Sequence, residues 1–384
     1  MNSSGRYDAI DALRGTIMIL MAIDHASGLI ARQHASEFWA GAMSAYDSAF
    51  PFLTRLVTHP CAPGFFFLMG AGIYWYAAKY IEDGKSTAPA VRRVLLRGVI
   101  IFVLAQAIEM PLVVLNGALP RADVSLNRIT APPPNDGSAP VWFFVTLAGL
   151  GLVMIVCALL LRLRPWMWLA VAALCTVVTH SMLPVSGRPG PWWATLMLTA
   201  GMSDGIVVVY PVIPWLAVAA SGMYFGYWWR RNPESASRRV WLVGAALVAL
   251  ALTLRATGAW GNIRLPRDSG WIEFLNNVKY PPSLVFWTLA VGFDLVLLAV
   301  LARLPHAVTS SRSPLIVFGQ APLFFYVMHF LVLTACAFLF FRTPASLEGA
   351  WLVWLLVVVA LYPLCAWYRT FKLAKPMDSL WRMF

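Results

Sequence analysis

Apolar runs of about 20 residues recur along almost the whole chain, and they constrain its fold more than any other feature. A run of this length can cross the hydrocarbon core of a bilayer as an α-helix. The composition agrees, because 60% of the 384 residues are hydrophobic and only 12% are charged, with a mean hydropathy of +0.70. The chain is therefore predicted to be an all-α, multi-pass integral membrane protein.

Ten transmembrane helices are predicted from these runs. They cover approximately residues 12–31, 61–81, 94–115, 139–161, 165–183, 205–229, 240–257, 283–303, 315–341 and 349–369. Most of the 29 Lys and Arg residues fall in the connections on one side, and the positive-inside rule assigns that side, with both termini, to the cytoplasm. Helix ends and contact with anionic membrane lipid explain the formal charge of +12, so a nucleic-acid partner is not predicted.

A single domain over residues 1–384 is predicted, since no soluble segment or internal repeat divides the chain. Residues 32–58 are half apolar and are expected to include a short interfacial or re-entrant helix. The five cysteines form no CxxC pair and are interpreted as small buried hydrophobes. The sequence has no HExxH and no other metal-ligand spacing in a span, so no metal site is predicted.

Ionisable residues are rare in this chain, yet residues 8–70 hold three of its six histidines. In the first span, Asp11, Arg14 and His25 lie on one helical stripe, with Arg14 and His25 about 16 Å apart along the axis. Asp24 is rotated by about 100° from His25, so the two side chains need not touch. A carboxylate and an imidazole at this depth are functional candidates, the alternative being buried hydrogen bonds that hold helices together.

His34 and His59 are the other two histidines of this region. His34 lies in the polar connection after the first span, where an ordinary exposed histidine is the alternative. His59 precedes Pro60 and Pro63, which open a helix start and free backbone N–H groups for a ligand; the alternative is a capping residue at the interface. An imidazole can act as a general base near neutral pH, and a nearby carboxylate can orient it.

Other polar residues are predicted within the membrane or at its edges. They are Glu109, His180, Asp204, Asp294 and His329. Each is a candidate site residue and equally a candidate for a buried hydrogen bond between helices. Residues 318–330 are predicted to place Gln320, Tyr326 and His329 on one helix.

Five segments carry a resemblance to a known family. They are DAIDALRGTIMILMAIDH at 8–25, THPCAPGFFFLMGAG at 58–72, YPVIPWLAVAASGMYFG at 210–226, YPPSLVFWTLAVG at 280–292 and FGQAPLFFYVMHF at 318–330. Together they resemble the bacterial branch of the heparan-α-glucosaminide N-acetyltransferase catalytic-domain family, in the transmembrane acyltransferase superfamily. The resemblance implies a bacterial inner-membrane enzyme that moves an acyl group, usually acetyl, from cytoplasmic acyl-CoA to an amine or hydroxyl on the far side. The implied acceptor is a glycan or a similar small molecule.

The same resemblance implies roles for individual residues. The spacing from Arg14 to His25 is similar to the arginine–ten residues–histidine signature of the membrane O-acyltransferases, which implies a catalytic His25 and an Arg14 on the acyl-CoA side. His34-Ala35-Ser36 is similar to a His-Ala-Ser tripeptide that holds the key histidine of the lysosomal enzyme, so His34 competes with His25. The predicted catalytic residues are His25, Asp24, His59 and His34, and the predicted residues for binding acetyl-CoA or another acyl-CoA are Arg14 and Asp11.

Two other classes of function are weighed against an enzyme. A transporter of a small anion or an acylated sugar would use Asp24, Glu109 and Asp294 along its path. Inverted repeats would support a transporter, and the sequence has none that is convincing. A structural or scaffold protein that has lost activity is the third hypothesis. Five polar residues present together speak against it: Asp11, Arg14, Asp24, His25 and His59. The sequence leaves a homo-oligomeric state open.

Overall fold

A computed structural model describes residues 8–34, 36–119, 132–183, 187–304, 310–376 and 379–383. Up to residue 199 its helices are α1 (Asp8–Ala26), α2 (Ala49–Leu56), α3 (Cys61–Glu82), α4 (Ala88–Leu104), α5 (Met110–Gly117), α6 (Thr146–Leu159), α7 (Met167–Met182) and α8 (Trp192–Ala194). The later helices are α9 (Val212–Arg231), α10 (Pro233–Thr257), α11 (Trp271–Leu275), α12 (Leu284–Leu301), α13 (Pro314–Gln320), α14 (Pro322–Leu339) and α15 (Leu347–Leu373). Three short strands are β1 (Trp142–Phe144), β2 (Gly201–Ser203) and β3 (Ile206–Val208).

Within the described residues, seven segments are long and apolar enough to cross a membrane. They are Asp8–Ala31, Ala49–Glu82, Ala88–Gly117, Pro233–Thr257, Leu284–Leu301, Pro322–Leu339 and Leu347–Leu373. α6 and α7 are also apolar, but with 14 and 16 residues they are shorter than these seven segments. The predicted all-α, multi-pass membrane architecture is thereby confirmed, whereas the count of ten spans and the cytoplasmic termini stay predictions.

α1 lies at the centre of the bundle, where it packs against α3, α12, α13, α14 and α15. Two glycines bring α1 and α13 into backbone contact. A Cβ on Gly15 would lie 1.8 Å from the carbonyl oxygen of Leu315, and a Cβ on Gly319 would lie 1.8 Å from that of Asp11. Only glycine allows this approach, so the end of α13 lies directly beside Arg14 on α1.

Residues 318–330 do not form one helix, contrary to the prediction. α13 ends at Gln320 and α14 begins at Pro322, while Ala321 between them has φ −126° and ψ 44°. A residue that precedes proline is driven out of the helical conformation by the proline ring, which explains the break. Gln320 therefore belongs to α13, and His329 belongs to α14.

The small sheet was not predicted. β3 is its central strand, pairing parallel with β1 and antiparallel with β2. Because β1 and β3 precede α6 and α9, the predicted spans 139–161 and 205–229 begin too early. The short helix expected within residues 32–58 is confirmed as α2.

Candidate active site

His25 near the end of α1 pairs with His329 on α14. Nδ1 of His25 lies 2.6 Å from Nε2 of His329, and Nδ1 of His329 lies 2.9 Å from the carbonyl oxygen of Phe325. A carbonyl oxygen only accepts, so Nδ1 of a neutral His329 carries the proton and its Nε2 accepts from Nδ1 of His25. The lone pair of His25 is then on Nε2, which is the atom a general base would use. His329 is fully buried, whereas His25 keeps partial exposure.

Asp24 points away from this pair, as the rotation along the helix requires. Its carboxylate is bonded to the Arg55 guanidinium, accepts from the Thr58 hydroxyl at 3.2 Å, and lies 3.3 Å from Nε2 of His34. Asp24 and His25 therefore belong to two different networks, although they are neighbours in sequence.

Arg55, in the last turn of α2, connects two carboxylates. It bonds to Asp24 and also to Glu37, whose Oε1 accepts from its Nε at 2.9 Å. Nε2 of His59 lies 2.7 Å from the same Glu37 oxygen. We call Asp24, His34, Glu37, Arg55 and His59 the arginine cluster; apart from His34, which is partly exposed, its side chains are buried.

Glu37 is the member of the arginine cluster that lies in the connection between the first two spans. Burial alone would raise the pKa of its carboxyl, but Arg55 and then His59 outweigh that effect. They hold the pKa of Glu37 well below its usual value, so the carboxylate is charged at neutral pH.

A cavity of about 650 Å³ opens on the other end of α1. Seven cationic side chains and no carboxylate are among the described residues that line it. The cations are Arg14, Lys79, Arg93, Arg97, Arg369, Lys372 and Arg382. We call this space the basic cavity because of these cations. Apolar residues of α1, α3, α4 and α6 form much of its remaining wall. An elongated ligand with an anionic head and an apolar arm matches this lining.

Two arginines of the basic cavity differ in their partners. Arg14 donates from Nη1 to Asp11 at 2.8 Å and to the carbonyl oxygen of Gly319 at 3.0 Å. Gln320 donates to the other Asp11 oxygen at 2.9 Å, so Asp11 holds Arg14 in place and is not itself part of the cavity lining. Arg97 has a buried Nε with no hydrogen-bond partner within the described part of the chain. An unsatisfied buried donor of this kind is suited to an anionic ligand.

Tyr326 connects the basic cavity to the histidine pair. Its side chain lines the cavity, and its ring contacts those of His25 and His329 at centroid distances of 5.9 and 5.5 Å. The hydroxyl donates to Glu109, whose second oxygen accepts from the backbone N–H of Leu147 at 3.0 Å. One aromatic side chain therefore separates the inner end of the cavity from the candidate base.

The structure sorts the residues predicted from sequence. It brings His34, His59 and Asp24 together through Arg55, and it places His25 with His329 instead. Other predicted candidates lie elsewhere. His180 accepts a hydrogen bond from the N–H of Leu284, and Asp204 accepts one from the N–H of Trp192. Asp294 is buried, and neither of its carboxylate oxygens has a hydrogen-bond partner in the described residues. Ala35 of the tripeptide lies outside the described residues.

Sequence reasoning missed Arg55, Glu37 and Arg97 as site residues. Arg55 lies in the last turn of the short helix that was expected in residues 32–58, and Glu37 lies in the connection before it. A charged residue in or before such a helix in so apolar a chain was the available signal. Among the described residues, no three His, Cys, Asp or Glu side chains are arranged to hold a metal ion.

The fold and site together define an integral membrane protein with a cavity lined by cations close to a pair of imidazoles. The sequence profile of the acyltransferase domain family matches residues 7–370, nearly the whole chain. The chain therefore belongs to that family, in the transmembrane acyltransferase superfamily, and is an integral membrane acyltransferase. A comparison with curated proteins gives no significant match.

Proposed function

We propose that this acyltransferase takes an acyl group, acetyl in the first instance, from cytoplasmic acyl-CoA and transfers it to an amine or hydroxyl of a glycan on the far side of the membrane. Within the superfamily, we place it beside the bacterial relatives of the heparan-α-glucosaminide N-acetyltransferases and in a bacterial inner membrane, on the five segments quoted above. The observation that carries the proposal is the basic cavity, which ends at Tyr326 beside His25 and His329.

The basic cavity fits the chemistry of an acyl-CoA donor. Phosphates are bound by arginine and lysine, and the described lining holds seven cations and no carboxylate, although Asp11 pairs with Arg14 from outside the lining. The apolar wall suits the arm that carries the thioester, and Met18 and Tyr326 line the cavity toward the histidine pair. Arg14, held by Asp11 and Gly319, presents a fixed positive charge to the donor.

His25 is the proposed general base. Its Nε2 lone pair accepts the proton of the acceptor O–H or N–H while that oxygen or nitrogen bonds to the thioester carbonyl carbon. The tetrahedral intermediate then collapses, the carbon–sulfur bond breaks, and the CoA thiolate leaves. His329 accepts from Nδ1 of His25, and this bond holds the ring and its tautomer in place.

CoA release from purified protein tests the proposed function. The protein in nanodiscs is supplied with radiolabelled acetyl-CoA, with and without a crude envelope glycan extract. We expect CoA release that depends on the extract, and label that appears in a glycan fraction. Binding of acetyl-CoA without any release, over a series of extracts and free sugars, would contradict acyl transfer to such an acceptor.

Arg97→Gln is expected to raise the KM for acetyl-CoA roughly 10-fold or more, because a hydrogen bond to a charged group is worth about 1.5–3 kcal/mol. The matched control is Arg92→Gln, which removes the same charge from an exposed position on α4 outside the cavity lining. Initial rates over a range of acetyl-CoA concentrations give both KM values. Equal values for the two variants would remove Arg97 from the donor site.

A further inference from the structure

Lys279 lies in the connection between α11 and α12, between the predicted spans 240–257 and 283–303; with ten spans and a cytoplasmic N-terminus, this connection is on the non-cytoplasmic side. The N–H groups of Lys279 and Tyr280 both donate to the carbonyl oxygen of Glu37, at 3.0 and 3.1 Å, and the N–H of Trp39 donates to that of Tyr280 at 2.9 Å. These bonds attach the segment to the arginine cluster and turn the Lys279 side chain inward. Only 2% of Lys279 is exposed.

The ammonium of Lys279 has no hydrogen-bond or ion-pair partner among the described residues. Its Nζ lies over the ring of Tyr280, 5.2 Å from the centroid. The charge is nevertheless close enough to act electrostatically on Asp24, His25 and His59. Lys279 therefore lies within electrostatic range of the candidate base, and its ammonium donors have no hydrogen-bond acceptor among the described residues.

A buried ammonium without a partner costs free energy, so its retention needs a reason. Direct pairing with a carboxylate is not that reason, because Asp24 and Glu37 are both bonded to Arg55. Asp24, Glu37, Arg55 and Lys279 together sum to zero formal charge, which makes the resting site tolerable. A cation fixed in a site of low dielectric acts most strongly on negative charge that appears during a reaction.

We propose that Lys279 stabilises the oxyanion formed when the acceptor attacks the acyl carbonyl, an inference that rests on the proposed acyl transfer. As the bond from the acceptor to the carbonyl carbon forms, the carbonyl electron pair moves to oxygen, and the ammonium donates a hydrogen bond to that oxygen. When the carbonyl re-forms, the carbon–sulfur bond breaks and the thiolate takes the electron pair. The acceptor proton is held by His25, so Lys279 keeps all of its own protons.

Turnover of Lys279→Met tests this role, with Lys85→Met as the control. Lys85 is an exposed lysine, paired with Asp83 across 2.9 Å on the surface. We expect Lys279→Met to release CoA about 10²–10³-fold more slowly at saturating donor and extract. The KM for acetyl-CoA and the half-saturating amount of extract should remain near their wild-type values. Lys85→Met should match wild type.

Lys279→Ala with added ethylamine distinguishes an ammonium that acts on the reaction from one that only stabilises the fold. We expect the amine to raise the rate of Lys279→Ala in a saturable way and to leave wild type unchanged. Lys279→Arg is expected to retain part of the activity, and it serves as the test if the smaller side chains do not fold. A Lys279→Arg variant that folds but has no activity above that of Lys279→Met would overturn the proposal, since it would show that a cation alone is insufficient.

Two further results would overturn the role of Lys279. A folded Lys279→Met variant within threefold of the wild-type rate would show that no oxyanion depends on the ammonium. A loss confined to the half-saturating amount of extract would place the ammonium on the bound acceptor instead. Absence of CoA release from wild type itself would reject the proposed function first, and the inference with it, so the two failures are distinguishable.

Discussion

CoA release by His25→Ala is expected to fall about 10²–10⁴-fold below wild type, the range for removal of a general base. The reason is the hydrogen-bond order around His25, which leaves the lone pair on Nε2 while His329 fixes Nδ1. Acetyl-CoA binding should be retained, because His25 is absent from the lining of the basic cavity. Single-turnover rates and donor binding, measured on the same preparation, check both expectations.

The control for this substitution is His180→Ala. His180 is also a histidine near a helix end, but it accepts from the N–H of Leu284 and contacts Trp260, away from the histidine pair. Its activity should stay near wild type. If His34→Ala abolished release while His25→Ala remained active, the base would be His34, as the tripeptide resemblance implies.

Replacing Arg55 with Met is expected to destabilise the protein by roughly 3–5 kcal/mol, because two buried carboxylates would lose their common partner. Arg55 is 5% exposed, and Asp24 and Glu37 are both buried against it. Thermal unfolding of the protein in detergent, followed by tryptophan fluorescence, measures the loss. The control is Arg230→Met, which breaks a surface ion pair with Glu82 in which Arg230 is 36% and Glu82 is 51% exposed. That change should cost no more than about 1 kcal/mol.

A compensating variant separates unpaired charge from lost packing. Adding Asp24→Asn and Glu37→Gln to Arg55→Met removes the two orphaned charges, so part of the stability should return. The triple variant is nevertheless expected to be a poor enzyme, since the buried charges beside His25 have changed. If the triple variant were as unstable as Arg55→Met alone, packing rather than charge would explain the effect.

The helices could be predicted from sequence because a long apolar run has one stable conformation in a bilayer. The stripe of Arg14 and His25 followed from helical periodicity alone, and the short helix α2 followed from the half-apolar character of residues 32–58. The strands β1 and β3 could not be predicted in the same way. They have three residues each, so neither length nor alternation distinguishes them from the ends of the helices they precede.

The partners of the site residues were beyond sequence reasoning, since they are set by tertiary packing. His25 and His329 are 304 positions apart, and no local pattern indicates that they meet. Asp24 and His25 are adjacent, which suggested one site, yet the helix sends them to different partners. The break at Ala321 was foreseeable from Pro322, but the apolar run across it concealed the signal.

α1 is a continuous helix from Arg14 to His25, so the distance between these two residues is fixed. Eleven residues at the rise of an α-helix set about 16 Å between Arg14, proposed to face the donor's charged end, and His25, proposed to face its carbonyl. α13 is in backbone contact with α1 at Gly15 and Gly319, which fixes the end of α13 beside Arg14. On the proposed assignment, a small activated acyl donor such as an acyl phosphate would bind at Arg14 with its carbonyl about 16 Å from the base. On that assignment, only a donor with a long arm between its charge and its acyl group can contact Arg14 and His25 at the same time.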